Sequence, residues 1–457
     1  MVAMSDAVKP EPALPADMTF GTATASWQVE GDVAGRGHCI WDDFAATPGA
    51  IVDGTTGEPA CDHLTRFDED LDLLTWLGVD AYRMSISWPR VQPTGMGPVS
   101  EAGLATYDRM IDGLLERGID PVVTLYHWDL PSELPGWTSR ETAERFADYA
   151  EAVGARLGDR VSHWATLNEP WVSAYLGYAA GVHAPGRRAP AEALSAAYHL
   201  MLGHGLALER LRAQGLINLG IVLNLIPVYA DDPGAQAAAT HIDGLHNRFF
   251  LDLLAGRGIP ADVVAGTTQF TDWSFVQESD LPIIAAPIDW LGENYYTVNR
   301  VSSVASDVTA VGQDLAAYPG SPPATFAPRE PVTAMGWEVY PEGIVDALRL
   351  AATALPGVPL WIAENGAAYA DVVSPDGIHD IDRVDYYRQH VAQVLRARAE
   401  GIDVQGYLAW SLLDNIEWAE GFTKRFGIVR VEPGTLTRTP KDSALWWRDR
   451  LATRVSP

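Results

Sequence analysis

The sequence predicts an α/β protein: a single (β/α)8 TIM barrel with long loops over the C-terminal face of its strands. Two observations carry this. Short apolar runs alternate with longer segments of i, i+3, i+4 apolar spacing, and the pair recurs eight times with no linker that would divide the chain into separate domains. The short runs are also nearly continuous in apolar residues, as strands covered by helices must be.

Taken in order, "MTFGTATA" precedes "FDEDLDLLTWLG", "AYRMSIS" precedes "SEAGLATYDRMIDGLLERG", and "DPVVTLYHW" precedes "RETAERFADYAEAVGARLG". "HWATLNE" leads to "PAEALSAAYHLMLGHGLALERLRAQG", and "NLGIVLNLIPVY" leads to "THIDGLHNRFFLDLLAG". The last three pairs are "IDWLGENYYT" with "PEGIVDALRLAATAL", "PLWIAENG" with "DRVDYYRQHVAQVLRARAEG", and "VQGYLAWSLLDN" with "SALWWRDRLATR". A Gly- and Pro-rich stretch, residues 301–334, falls between the sixth strand and its helix and reads as a long loop over the barrel mouth. Residues 1–17 read as a short disordered Pro-rich tail, leaving one barrel domain over 18–457.

Charge and composition narrow the function. A net charge of −28 repels nucleic acid and anionic membranes, so neither is expected as a partner. No apolar run is long enough to span a bilayer. The first residues lack the apolar stretch of a secretory leader, and Cys39 and Cys61 are the only cysteines, so the expected compartment is the reducing cytoplasm. Cys39, Cys61, His38 and His63 do not have the spacing of a zinc finger or ribbon, and no H-E-x-x-H occurs, so no metal is expected. Neither a G-x-G-x-x-G nor a Walker loop is present, so no nucleotide cofactor is implied. Sixteen Trp is a large number for one chain, and flat indole faces suit the holding of rings as well as the filling of cores.

In a barrel of this kind the chemistry sits at the C-terminal ends of the strands. The polar residues there are Gln28, Arg83, His127, Asn168 with Glu169, Asn224, Asn294 with Tyr296, Glu364, and the aromatic Trp410. Glu169, in "TLNEP", would be an ordinary turn carboxylate by itself, but Glu364, in "IAENG", ends a strand across the barrel. Two facing carboxyls can divide the work of cleaving a glycosidic bond, one protonating the leaving oxygen while the other attacks or stabilises the sugar carbon. Arg83, on a strand between them, supplies a cation to keep one ionised while repulsion raises the proton affinity of the other.

Seven motifs carry a resemblance. "QVEG" from Gln28, "YRMSISW" from Tyr82, "YHWDLP" from Tyr126, "TLNEP", "NYYT" from Asn294, "IAENG" and "DNIEWAEGFTKRFG" from Asp414 resemble the signatures of glycoside hydrolase family 1, the β-glucosidase family. They stand in family order from about Phe20 to Trp447. The resemblance implies a retaining β-glycosidase that acts on a small β-glycoside or β-linked oligosaccharide without a cofactor. By the same resemblance Glu169 is the general acid/base and Glu364 the nucleophile. Gln28, His127, Trp128, Asn168, Glu417 and Trp418 would bind the sugar held at the pocket's end, with Trp410 as platform and Phe426 beside it. Arg83 and Tyr296 would hold the nucleophile with Asn294 next to them, Trp337 would wall the leaving-group side, and His183 would lie near the entrance.

Some positions depart from the pattern. Ala363 stands where Thr is usual, and His38-Cys39 where Pro-Ser is common. Glu293 replaces an apolar residue and, by strand alternation, points away from Asn294 and Tyr296 towards the helices, where a lone carboxylate is costly unless paired. A branch of the family that takes 6-phosphoglycosides has Ser in place of Glu417 and a Tyr in place of Phe426; Lys424 is shared. An ionised Glu417 about 4 Å from a phosphate would cost about 4 kcal/mol at an effective dielectric near 20, which points to unphosphorylated sugars. β-Glucoside is the expected first substrate, with β-fucoside and β-galactoside as seconds. Transfer to an acceptor other than water, a 6-phosphoglycoside substrate and a sugar-binding protein without catalysis are the alternatives, and homo-oligomeric assembly is left open.

Overall fold

The computed structural model describes residues 11–305, 308 and 310–455. Eight parallel strands close a barrel: β1 (Thr19–Ala23), β2 (Ala81–Ser85), β3 (Asp120–Tyr126), β4 (His163–Asn168), β5 (Leu219–Leu223), β6 (Trp290–Tyr295), β7 (Leu360–Asn365) and β8 (Val404–Trp410). Each pairs with its neighbour in chain order, and β1 closes on β8 with Thr19 opposite Gly406 and Ala23 opposite Trp410. The principal covering helices are α1 (Phe67–Leu77), α2 (Glu101–Glu116), α3 (Arg140–Leu157), α4 (Pro190–Ala213), α5 (Phe249–Leu254), α6 (Glu342–Ala354), α7 (Ile381–Ala399) and α8 (Asp442–Ala452).

Local chemistry sets several ends. Ser100 Oγ accepts the Gly103 N–H at 3.0 Å and starts α2, and Ser139 starts α3 in the same way through the Glu141 N–H. Gly78, at φ 72°, ends α1 in the left-handed region that glycine adopts without a Cβ clash. Ala143, Phe146, Ala150, Val153 and Leu157, at helical spacing on α3, are all buried against the barrel.

The structure departs from the expected elements in four places. The fifth apolar run is not one strand: β5 stops at Leu223, and Val228–Ala230 leaves the barrel to pair with Asn299–Ser302. The Asn247 side chain accepts the Ile226 N–H and donates to its carbonyl, so the backbone is satisfied without a sheet neighbour as it turns away. The stretch expected as loop over 301–334 contributes Thr325–Phe326 as a third strand of the same small sheet. Residues Val172–Ala180 form wide π-helical turns directly after β4, which apolar periodicity did not foresee.

The tail is the fourth departure. Of the residues expected to be disordered, 1–10 lie outside the described residues, whereas 11–17 pack on the barrel base. Leu14 is buried, Ala16 donates to the Val455 carbonyl, and Glu11 meets Arg388 and Arg450. Apolar burial beside the C-terminus ties down a segment that a Pro-rich composition marks as loose. No helix among the described residues is long and apolar enough to cross a membrane.

Candidate active site

The loops after the strands form a cavity that opens to solvent at the C-terminal end of the barrel. Both carboxyls, Glu169 and Glu364, line it. Glu364 leaves the end of β7 just before Gly366, where an added Cβ would lie 1.7 Å from the Trp410 carbonyl oxygen. Glycine is therefore required for the chain after Glu364 to cross so close to the end of β8. Glu169, Trp128 and Trp418 adopt φ of 45°, 80° and 46°, a left-handed backbone that costs about 1–3 kcal/mol at each non-glycine residue. All three face the same cavity, so the strain is gathered at the site.

The two carboxyls have different partners. Glu364 Oε1 accepts from Arg83 Nη1 at 2.6 Å and its Oε2 accepts the Tyr296 hydroxyl at 2.6 Å. Glu169 Oε1 accepts the Asn294 side-chain N–H at 2.7 Å, and no cation forms an ion pair with it among the described residues. Burial, and then the charge of Glu364, push Glu169 well above the usual carboxylate range. Burial raises Glu364 too, but Arg83 and the Tyr296 hydroxyl oppose it. Of the pair, Glu169 is the one that retains its proton.

Arg83 also organises a second set of polar side chains. Its Nη2 donates to Asn168 Oδ1 at 2.7 Å and its Nε to Thr124 Oγ1 at 3.0 Å. That fixes the Asn168 amide, whose Nδ2 then donates to His127 Nε2 at 3.0 Å. Burial, then the Arg83 charge, hold His127 far below the usual imidazole range, so it is neutral with its proton on Nδ1. That N–H has no partner in the protein and is left free to donate. Gln28 spends both N–H groups on Asn415 Oδ1 and the Ile416 carbonyl, which leaves Oε1 as a free acceptor.

Among the residues expected at the site, His127, Trp128, Glu169, Asn294, Tyr296, Trp337, Glu364, Trp410, Glu417, Trp418 and Phe426 line the cavity, as does His183. Gln28, Arg83 and Asn168 lie behind its wall and are at most 1% exposed. Trp410 and Trp418 both stack near His127, with ring centroids 5.9 and 5.8 Å away. The Trp128 N–H is committed to the Asn168 carbonyl, so only its ring is available to a ligand. Trp337 and Phe426 flank Tyr296 at 5.4 and 6.0 Å.

Glu417 stands in an acidic setting. It is half-buried, and its charged neighbours Glu364, Glu169 and Glu420 are all acids; loss of solvent, and then their repulsion, raise its proton affinity above the usual carboxylate range. When protonated, such a carboxyl both donates and accepts. Lys424 does not neutralise it, because its Nζ donates to the Ala334 carbonyl and lies 3.8 Å from Glu420.

The outer half of the cavity holds residues that no motif pointed to. Gln313 donates to Asn299 Oδ1 at 3.0 Å, Asn299 donates to the Tyr318 hydroxyl at 3.2 Å, and that hydroxyl meets His246 Nδ1 at 2.8 Å. His246, held down to about 3 by burial, is neutral, and its Nε2–H donates to the Asn224 carbonyl at 2.9 Å. The direction of every bond is thereby set, and Gln313 Oε1 remains a free acceptor. Trp171 stacks on His246 at 4.0 Å and supplies a flat apolar wall. Asn224 was visible as a strand end; Gln313 and Tyr318 come from the long loop before α6, Asn299 from the small outer sheet and His246 from a π-helical turn, and the tertiary fold brings them together.

Among the described residues no group of three His, Cys, Asp or Glu side chains is placed to hold a metal. Cys39 and Cys61 are free buried thiols, and His63 is bonded to Asp70.

A parallel barrel with two buried carboxyls at its mouth, one against a cation and the other without, among unpaired polar groups and aromatic faces, has the make-up of a glycoside hydrolase. The model of glycosyl hydrolase family 1 matches residues 11–455. The chain is 45% identical to the bifunctional β-D-glucosidase/β-D-fucosidase of Bifidobacterium breve, over 96% of this chain and 98% of that protein. It superposes on the psychrophilic β-glucosidase BglU of Micrococcus antarcticus with a TM-score of 0.93 at 43% identity, covering 97% and 98% of the two chains. The β-glucosidase of Thermotoga maritima in complex with deoxynojirimycin gives a TM-score of 0.89 at 40% identity, covering 97% of this chain and all (100%) of that one. The chain belongs to glycosyl hydrolase family 1.

Proposed function

We propose that the protein is a retaining β-glucosidase with β-fucosidase and β-galactosidase side activity. The observation that carries this reading is the asymmetry of the carboxyl pair: Arg83 and Tyr296 bind Glu364, whereas Glu169 has a raised proton affinity and no cation. In the first step Glu169 gives its proton to the glycosidic oxygen while Glu364 forms a bond to the anomeric carbon, and the C–O bond to the leaving group breaks. In the second, Glu169 takes a proton from water, whose oxygen displaces Glu364 and restores the starting anomer. The free His127 Nδ1–H and Gln28 Oε1 supply a donor and an acceptor for sugar hydroxyls, with Trp410 as the apolar platform.

The named activities of the relatives favour glucosides and fucosides. The free Gln313 Oε1 and the Trp171 face, both on the cavity wall, suit a leaving group that is itself a sugar. Lys424, engaged by Ala334 and Glu420, does not offer a phosphate a free cation, which supports unphosphorylated substrates. The test is a panel of p-nitrophenyl β-glycosides with proton NMR of the first sugar released. The β anomer of glucose is expected; an initial α anomer, or preference for the 6-phosphoglucoside, overturns the proposal. With a high concentration of acceptor, the ratio of glycoside products to free sugar measures how far transfer competes with hydrolysis.

A further inference from the structure

Below the loop that follows β8 lies a buried ionic cluster that the chemistry above does not use. Lys441, at the start of α8 and with a fully buried side chain, donates from Nζ to Asp414 Oδ1 at 2.8 Å and to Asp371 Oδ1 at 3.0 Å. Asp414 Oδ1 also accepts the backbone N–H of Gly427 at 3.0 Å, and its Oδ2 accepts from Arg425 at 3.2 Å. The residue after Asp414 is Asn415, which receives Gln28, and Glu417 follows two positions later. The residue before Gly427 is Phe426, on the cavity wall. Asp371, the second partner of Lys441, belongs to the loop after Glu364.

We infer that Lys441 is a positioning residue for sugar binding, acting through Asp414 on the loop that presents Glu417 and Phe426. Glu417 Oε2 has no hydrogen bond within the protein, and the Glu417 N–H is tied only within its own loop, to the Gly421 carbonyl at 2.8 Å. Its place over the cavity is therefore set by where the loop is pinned. Asp53 and Val52 hold its tip, through the Phe422 N–H and the Ala419 carbonyl, while Asp414 pins its two ends together through the Gly427 N–H, and Lys441 is the fully buried cation of that pin. A buried carboxylate that loses such a partner is left less well compensated, here with only Arg425 at 3.2 Å, and relief comes from movement of the more mobile side. Here that side is the loop, because Lys441 stands on a helix and Asp371 keeps Arg383 and Arg430 at 3.4 and 3.5 Å. Those remaining cations, with Arg425 on Asp414, hold the fold while the loop shifts.

The inference rests on the reading of Glu417 and Phe426 as sugar-binding groups. Its test compares Lys441→Met with Glu417→Gln and wild type on p-nitrophenyl β-glucoside, with circular dichroism confirming the fold. Lys441→Met is expected to raise KM about tenfold and lower kcat less than about threefold, and the Ki of an iminosugar inhibitor should rise in parallel. A purely structural role would reduce the fraction of active protein, so kcat would fall at unchanged KM. A KM within twofold of wild type in folded Lys441→Met overturns the inference, provided Glu417→Gln raises KM. If Glu417→Gln leaves KM unmoved, the reading of the sugar pocket fails instead. Should Lys441→Met not fold, Asp414→Asn decides: it keeps an oxygen for the Gly427 N–H but drops the charge facing Lys441. It should raise KM at least about threefold, and an unchanged KM refutes the proposal.

Discussion

Arg83 donates to Glu364 at 2.6 Å and, through its other terminal nitrogen, to Asn168 at 2.7 Å. One guanidinium therefore opposes protonation of one carboxyl and fixes the amide that orients His127. Glu169, next in the chain to Asn168, receives none of its hydrogen bonds.

If Glu364 is the nucleophile, Glu364→Gly should lower kcat/KM for an aryl β-glucoside by about a thousandfold or more while leaving the fold intact. Azide should enter the vacated space and give the α-glycosyl azide, identified by NMR. Turnover within tenfold of wild type would refute the role.

Glu169 matters in proportion to how much its proton is needed. A leaving group such as dinitrophenolate departs without protonation, whereas an alkoxide does not. Glu169→Ala should therefore lose about a hundredfold more in the glycosylation rate with cellobiose than with dinitrophenyl glucoside. Equal losses for both would make Glu169 a positioning group.

The proton affinity of Glu169 is raised by burial and then by the Glu364 anion. Removing that anion in Glu364→Gln should shift Glu169 titration to lower pH, followed by the carboxyl carbon in NMR. Active wild type should lose kcat/KM on the alkaline side, as the acid deprotonates above the ordinary carboxylate range. A Glu169 titration unmoved or raised in the Gln variant would contradict the coupling.

Glu293 concerns stability. It is fully buried on β6, one oxygen accepts the Leu225 N–H at 3.3 Å, and the other has no partner. Burial is the main cause that keeps it protonated well above the usual range. The unfolded chain ionises it near its ordinary value and the folded chain does not. Its presence therefore costs stability progressively as pH rises above that value towards the folded one. Glu293→Leu should unfold at higher temperature than wild type, by about 1 kcal/mol or more near neutral pH, with the gap wider at pH 8 than at pH 5. A variant less stable than wild type at pH 8 would mean that the Leu225 bond outweighs the burial cost.

Much was legible in the sequence because it is written in local patterns. Eight alternations of strand and helix set the barrel, since a strand covered by helices and an amphipathic helix each announce their period in a few residues. The two carboxyls stood in short motifs at strand ends, and strand ends are where a barrel collects its chemistry. Asn168, Asn294 and Tyr296 were legible for the same reason.

Other features depended on contacts far apart in the chain. Residues 11–17 are ordered by the C-terminal segment, hundreds of positions away, and composition does not register such a partner. Gln313 and Tyr318 reach the cavity from a loop, whose side chains follow no period, and His246 from a π-helical turn, which departs from the period of 3.6.

By itself, then, the sequence determined the barrel, its order of elements and the two carboxyls, because backbone periodicity and strand-end placement are properties of neighbouring residues. The resemblance named Glu169 as the acid, but only the tertiary structure supplied a physical cause for the asymmetry of the pair. That cause is Arg83, on β2, and Tyr296, just past the end of β6, converging on Glu364 and leaving Glu169 to Asn294. The proton affinity of Glu417 was set in the same way: partial burial and the neighbouring acids raise it, and a residue's own identity carries no record of that field.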